Sequence, residues 1–319
     1  MQLRYWRGAV PNFGDELNAW LWPKLLPEFF DADERELFLG IGSILFHDYP
    51  AAARKIVFGS GYGGYTPPPR IDPTWTFYFV RGPRTAQVLG LDPKLALGDA
   101  ALMLRLVPHD LPLPESLPSG IAYMPHWDSA ASGEWEQLAV RAGMRYIDPR
   151  WPVERVIAAI RSCELLVSEA MHGAIVADAL RIPWIPFLPH PIHRFKWYDF
   201  AESLDLELTF AQSAQLTWVD ALATRLVRHP IAERRARYYG HRMRHLGSAV
   251  YRWNAVRALR AAARTRPFLS DGRTIERVTQ QMAAQLERLR ADYPTRRAIL
   301  GLPPDPPPCA PLEDDRAPA

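Results

Sequence analysis

Cysteine and long apolar runs are scarce in this chain of 319 residues. Its two cysteines, Cys163 and Cys309, lie in an apolar segment and in a proline-rich terminus, so neither a disulfide framework nor a cysteine zinc site is expected. No window approaches the run of about eighteen apolar residues that a membrane-spanning helix needs, and the N-terminus has no apolar core of signal-peptide length. We therefore expect a cytoplasmic protein that is not exported by that route.

Acidic residues are nearly absent from one long segment. Residues 225–266 contain twelve arginines and one acid, Glu233. Apolar and aromatic side chains recur there at three- and four-residue spacing, which predicts an amphipathic helix. Such a helix either lies on anionic lipid, peripherally on the inner face of the cell membrane, or packs on the protein with a solvated basic face. We expect no nucleic-acid partner, because no recognised motif accompanies the charge.

The order of apolar segments predicts the fold class. Residues 1–112 alternate strands with helical or loop segments, as in a parallel sheet wrapped by helices, and residues 113–212 form a second such unit. We predict an α/β protein with two tandem Rossmann-like domains, a basic helical extension at 213–300 and a disordered Pro-rich tail at 301–319. The predicted strands are 3–6, 37–40, 55–59, 75–80, 94–97, 121–124, 145–147, 165–167 and 184–187.

An acid and a histidine lie in a turn between an apolar strand and an apolar helix, within residues 167–180. Ser168 ends the strand, Glu169 and His172 follow, and Gly173 allows the backbone to turn tightly. The carboxyl ends of parallel strands face the ligand crevice of an open sheet. His172 is therefore a candidate catalytic residue, and the alternative is a helix-capping or core histidine.

Two glycine-rich turns follow predicted strands. Residues 59–64 match the dinucleotide-binding pattern G-x-G-x-x-G, but Thr66 and three prolines follow where that pattern requires a helix. We interpret this turn, which contains Ser60 and Gly61, and the turn at 40–43 as close backbone turns that line the crevice. Both offer backbone N–H groups to an anion.

Cationic side chains follow two further strands. Arg81 is positioned to clamp a phosphate or carboxylate through two parallel hydrogen bonds, although pairing with a structural carboxylate such as Asp99 is an equal alternative. In the second unit, the loop 190–197 interleaves cations with aromatic residues. It contains two histidines but no third ligand at suitable spacing, so no metal site is expected.

Five short motifs, in this order, resemble the polysaccharide pyruvyltransferase family, particularly the ketal-pyruvate transferases of bacterial exopolysaccharide assembly. The resemblance covers about residues 1–205 and lies in the order and spacing of the motifs. They are Asn12-Phe13-Gly14-Asp15, the glycine turns, Val80-Arg81-Gly82-Pro83-Arg84-Thr85, Leu97-Gly98-Asp99-Ala100 and Ser168-Glu169-Ala170-Met171-His172-Gly173.

The resemblance implies a GT-B-like fold and phosphoenolpyruvate as donor substrate, with no further cofactor. The product would be a pyruvate ketal on a saccharide, expected to be lipid-linked, with release of phosphate. His172 would be the general acid, oriented or recharged by Glu169, and Asp15 or Glu169 would accept the proton of the attacking hydroxyl. The expected substrate-binding residues are Arg81, Lys196, Arg84, Asn12, Gly14, Ser168, Ser60, Gly61, His126 and Arg194.

One position departs from the family pattern. Many members carry arginine two residues before the histidine, where this chain has Ala170. Arg84, Arg194 or Arg181 would then have to complete the phosphate site. Two other functions stay open: a GT-B nucleotide-sugar glycosyltransferase in which Glu169 binds the nucleotide sugar, and a non-enzymatic membrane-surface assembly protein that uses the basic segment.

Overall fold

The computed structural model describes residues 1–46, 48–64, 66–107, 119–131, 134–188, 194–212 and 248–294. Within these residues the protein is a mixed α/β structure with two parallel sheets. The second sheet is built largely from strand–helix units, as the alternation of apolar segments predicts, whereas the described residues that join the last three strands of the first sheet form loops.

The first sheet has four parallel strands in chain order, β1-β2-β3-β4. A long helix, α1, follows its first strand, and a shorter helix, α2, follows its last. The bounds are β1 Gln2–Arg4, α1 Phe13–Leu25, β2 Glu36–Leu39, β3 Arg54–Phe58, β4 Trp75–Phe79 and α2 Pro83–Leu89.

The second sheet has five parallel strands in the order β6-β5-β7-β8-β9. Its central strands are apolar and buried, as in a parallel sheet covered on both faces. The bounds are β5 Ile121–Met124, α3 Trp127–Ala131, α4 Trp135–Ala142, β6 Arg145–Tyr146, α5 Val153–Arg161, β7 Leu165–Ser168, α6 Met171–Ala179, β8 Trp184–Leu188, α7 Arg194–Ser203 and β9 Ala211–Gln212.

Eight of the nine predicted strands are confirmed to within two residues at each end, and the prediction at 94–97 is wrong. That segment begins as a 3₁₀ helix, Pro93–Leu95, and meets β4 through a single parallel bridge between Val80 and Ala96. The reason is local: the side chain of Asp92 accepts a hydrogen bond from the Lys94 backbone N–H, and Pro93 starts the turn.

Two helices, α8 (Ser248–Ala262) and α9 (Gly272–Asp292), follow the second sheet. Helix α8 packs on α4 and β9, whereas α9 packs on β4 and on a second 3₁₀ helix, Ala100–Leu106. The predicted basic helix is thus confirmed for its described part. Residues 213–247 and 295–319 lie outside the described residues, as does the predicted boundary at 112/113, so the domain division stays a prediction.

The two sheets share one apolar core. The 3₁₀ helix Ala100–Leu106 is buried against α6, and one continuous cluster joins Trp22 of α1, Leu102, Ile175 of α6 and Met282 of α9. Helix α6 is apolar on all sides, which explains why it is buried almost completely. No helix in the described part of the chain is long and apolar enough to cross a membrane.

Candidate active site

The N-terminal ends of α1 and α6 meet, and this contact brings two predicted site residues together. His172 is the second residue of α6, and its ring lies against Gly14 in the first turn of α1. A Cβ atom at Gly14 would lie only 1.9 Å from Nδ1 of His172. The imidazole therefore occupies space that is available only because residue 14 is glycine.

A buried carboxylate faces the other side of the imidazole. Oδ2 of Asp99 lies 3.7 Å from Nε2 of His172, and the histidine side chain is 14% exposed. Both atoms are buried without a hydrogen-bond partner among the described residues, whereas Oδ1 of Asp99 accepts the Ala101 backbone N–H. Buried polar atoms are rarely left unpaired, so this pair is a functional candidate.

Asp15 is the second acid of this site. Asn12 donates a side-chain hydrogen bond of 2.7 Å to its Oδ2 atom. Burial raises the pKa of Asp15 to about 6, although the Asn12 hydrogen bond and the nearby His172 and Lys196 all lower it. A carboxyl group with such a pKa exchanges its proton close to neutral pH, which suits a general base.

Helix α1 is held at the glycine turn by a buried amide. The side chain of Asn18 accepts the Ile41 backbone N–H, donates to the Ile41 carbonyl and accepts the indole N–H of Trp22. Its amide also donates to the backbone carbonyl of Asp15. Asn18 thus fixes the start of α1, and with it Asp15, against the end of β2.

Lys196 brings a cation to the same group. It lies in the first turn of α7, is partly buried, and has no hydrogen bond or ion pair among the described residues. Its charge acts on Asp15 closely enough to lower the pKa of that carboxyl. The ammonium group therefore remains available to an anionic ligand.

Arg81, by contrast, is enclosed by the protein. Its Nε donates to Oδ2 of Asp199 at 2.9 Å, and its other nitrogens donate to Oγ of Ser43 and to the carbonyl of Tyr62. Neither member of the ion pair has exposed surface. Arg81 therefore pairs with a structural carboxylate, as the alternative interpretation holds, but the partner is Asp199 and not Asp99. The contact of Arg81 with the donor stays a prediction.

Asp199 also binds the start of α2. Its Oδ1 accepts the backbone N–H of Thr85 at 2.8 Å, and its Oδ2 accepts the Thr85 hydroxyl at 2.6 Å. Helix N-termini attract anionic groups, so this carboxylate caps α2 from another helix. Since Asp199 lies one turn after Lys196 in α7, the same contact positions Lys196.

Glu169 has hydrogen-bond partners other than the His172 side chain that the sequence predicts. It accepts hydrogen bonds from the hydroxyls of Tyr123 (3.1 Å) and Ser129 (2.6 Å) and from the His126 backbone, and burial raises its pKa to about 7. None of these bonds orients His172, whose neighbouring carboxylate is Asp99. The catalytic role of Glu169 stays a prediction.

Several predicted binding residues are used within the fold. The hydroxyls of Ser168 and Ser60 donate to the carbonyls of Ala170 and Leu39, and the Gly61 N–H donates to Gly42. These groups therefore stabilise the turns, and their contact with a substrate stays a prediction.

The three arginines proposed to replace the missing family arginine differ in availability. Arg84 pairs with Glu202, and Arg181 binds Asp178 and Ser270. Arg194, in the first turn of α7, is exposed and lies 5.8 Å from the centroid of the Phe210 ring. Of the three, Arg194 is thus the one that has no ion pair among the residues that the structure describes.

Comparison with known proteins identifies the family. The model of the polysaccharide pyruvyl transferase family matches residues 12–191, more than half of the chain. This chain belongs to that family. The matched range includes Asn12, Asp15, Asp99 and His172, whereas Lys196 lies beyond it.

One curated family relative is the "Succinoglycan biosynthesis protein ExoV" of Rhizobium meliloti (strain 1021). It is 42% identical over 207 residues, which cover 64% of this chain and 65% of that protein. The chain thus spans just under two thirds of that relative. No solved structure matches with statistical significance.

For two residues of the site, Asp99 and Asp199, the sequence of this pyruvyl transferase family member does not predict the role that the structure shows. Asp99 belongs to the motif Leu97-Gly98-Asp99-Ala100, but the only role predicted for it is that of a partner for Arg81. Its position one motif before His172 was a usable signal. Asp199 lies in an aromatic helix without any motif, so only the structure shows it. In the described part of the chain, no group of three or more His, Cys, Asp or Glu side chains is arranged to hold a metal ion.

We expect Asp199→Ala to lower the free energy of unfolding by about 3–5 kcal/mol, because Arg81 would be left buried without a counter-charge. Glu202→Ala is the matched control: it removes the Arg84 pair between the same two helices, which is 38% exposed on both sides, and should cost about 1 kcal/mol or less. Urea unfolding measures both. Equal losses of unfolding free energy in the two variants would contradict this assignment. The double variant Arg81→Met/Asp199→Leu should be more stable than Asp199→Ala, because it leaves no buried charge unpaired, and equal stability would also contradict it.

Glu169→Gln should stabilise the protein increasingly as the pH rises from 5 to 8. The folded state holds the Glu169 proton up to a pKa of about 7, against about 4.5 when unfolded, so ionisation destabilises the wild type as pH rises through that window. The gain at pH 8 should approach about 3 kcal/mol. Urea unfolding at both pH values, with the exposed Glu136→Gln as control, measures it; a gain that does not depend on pH would contradict the burial argument.

Proposed function

We propose that this chain transfers a pyruvyl group from phosphoenolpyruvate to a saccharide of an exopolysaccharide repeat unit, forming a pyruvate ketal and releasing phosphate. Membership of the pyruvyl transferase family and the likeness to a succinoglycan biosynthesis protein support the reaction class. The observation that carries the mechanism is His172, held between Gly14 and the unpaired Asp99 oxygen.

The donor is an anion with a phosphate and a carboxylate, so its site must offer several fixed positive groups. The first turns of α1, α6 and α7 provide the positive ends of helix dipoles near Asp15, His172 and Lys196. Lys196 supplies a free ammonium group. We assign the second cation to Arg194, in place of the family arginine that is Ala170 here, because Arg84 and Arg181 are already paired.

The chemistry needs one proton donor and one proton acceptor. His172 donates a proton to the methylene carbon of the enol, which becomes a methyl group and leaves an electrophilic carbon. One saccharide hydroxyl attacks that carbon and gives its proton to Asp15. Phosphate then leaves that saturated carbon, which becomes an oxocarbenium ion, and the second hydroxyl adds to it and gives its proton to the departing phosphate. Asp15 releases the proton it accepted, and His172 takes one up, so that both groups return to their starting states. Asp99 orients the imidazole toward the enol.

The remaining parts of the proposal concern architecture and acceptor. We propose that the two parallel sheets are the cores of two tandem Rossmann-like domains in a GT-B-like arrangement, divided near residue 112. The donor is bound chiefly by α6 and α7. The acceptor, a lipid-linked saccharide, is bound beside residues 12–15 and the glycine turns, with the enzyme at the inner face of the membrane.

We expect His172→Gln to lower kcat for acceptor-dependent phosphate release by about 100-fold or more, the usual contribution of a general acid. Asp99→Asn should lower it by about tenfold and change the pH profile, because it acts through the imidazole. A colorimetric phosphate assay with acceptor measures both, and an unchanged melting temperature shows that each variant is folded. Near-normal phosphate release by His172→Gln would overturn the general-acid role.

A further inference from the structure

Helix α8 has an exposed face that the packing of the protein does not require. Its opposite side, with Ala255, Leu259 and Ala262, is buried in a core cluster with α4. The exposed face, here called the α8 outer face, consists of Val250, Trp253, Asn254, Arg257, Arg260, Ala261 and, just beyond the helix end, Arg264.

Large apolar side chains are concentrated at this face. In the described part of the chain, five large hydrophobic residues are exposed, and two of them are Trp253 (58% exposed) and Val250 (63%). A third, Val140, lies at the end of α4, the helix on which α8 packs. Single exposed apolar residues are common on protein surfaces. An exposed tryptophan next to other exposed apolar residues is typical of a binding surface.

The charge of the same face has one sign. Residues 248–266 contain five arginines and no acid. Arg257 stacks on the Trp253 ring at 4.4 Å, and Arg260 donates to the backbone carbonyl of Arg141. Neither charge has a carboxylate partner in the part of the chain that the structure describes. An ion pair of α8, between Arg252 and Glu134, lies on its packed side.

A groove runs along this surface between α8 and α4. Its volume is about 430 Å³, and it is lined by Arg141, Ala249, Arg252, Trp253, Val256 and Arg260. Guanidinium groups bind phosphate oxygens, while an indole ring offers an apolar wall to the carbon chain beside a phosphate. The groove thus combines the two chemistries of a phospholipid near its headgroup.

We infer that the α8 outer face binds the surface of an anionic lipid bilayer. Tryptophan and arginine are the residues that interfacial helices place at the level of the headgroups, and cations near an anionic leaflet each add about 1 kcal/mol. Nucleic acid would explain the arginines but not Val250 and Val140. The inference rests on α8 and α4 alone and does not depend on the proposed reaction.

Co-sedimentation of the full chain with vesicles tests this inference. We expect binding to mixed phosphatidylcholine and phosphatidylglycerol vesicles, weaker binding to pure phosphatidylcholine, and loss of affinity with added salt. Arg257→Glu/Arg264→Glu should weaken binding at least about 25-fold, since two cations are lost. Trp253→Ala should weaken it at constant charge. Arg273→Glu, one such charge reversal on α9, is the control and should reduce binding less than twofold, whereas Arg257→Glu alone should reduce it at least about fivefold.

Three outcomes would overturn the inference. The first is equal binding of wild type and Arg257→Glu/Arg264→Glu to the anionic vesicles. The second is an equal loss with Arg273→Glu, which would indicate a dependence on net charge only. The third is tight binding of a DNA or RNA oligonucleotide by the wild type together with no sedimentation on anionic vesicles.

Discussion

The buried ion pair between Arg81 and Asp199 is the interaction on which the arrangement of the site depends. It joins the end of the first sheet to α7, and the same carboxylate caps α2. A charge pair without solvent contact is tolerated only when its remaining hydrogen bonds are satisfied, and here Ser43 and Tyr62 satisfy them. Its geometric effect is to hold α7 so that the charge of Lys196, in the first turn of that helix, acts on Asp15 at the start of α1.

From that placement follows the electrostatic character of the candidate site. The ammonium group of Lys196, which has no partner among the described residues, lies near an imidazole and two carboxylates. Burial raises the pKa of Asp15 to about 6, whereas the Oδ2 atom of Asp99 lies 3.7 Å from the imidazole and has no hydrogen bond among the described residues. One carboxyl is therefore suited to exchanging a proton and the other to orienting the proton donor. Burial and position, not residue type, separate these two roles.

Much of this organisation was predictable from the sequence. The parallel strands and the turn that carries His172 follow from apolar alternation and from small residues at strand ends, since such patterns record burial directly. The family resemblance predicts that Asn12, Gly14 and Asp15 belong to the same site as His172. Within the family, the chain's own departure at Ala170 was also visible in the sequence.

Tertiary pairing was not predictable. Two buried acids, Asp99 and Asp199, are candidates for the ion pair with Arg81. The sequence does not show which of them pairs with it, because the partner depends on how α7 packs against α2. Glu169 was expected beside His172 from their spacing, but the helix turn directs the two side chains to different partners. The strand predicted at 94–97 does not form because the Asp92 side chain stabilises a local turn there. Contacts distant in sequence, rather than local patterns, set the chemistry of the site.

The central claim, that the grouped helix starts and Lys196 bind phosphoenolpyruvate, is tested most directly by ligand-induced thermal stabilisation. Phosphoenolpyruvate should raise the melting temperature of the wild type and leave that of Lys196→Met unchanged, while nucleoside-diphosphate sugars should have no effect on either. Stabilisation by a nucleoside-diphosphate sugar but not by phosphoenolpyruvate would contradict the account and favour a glycosyltransferase.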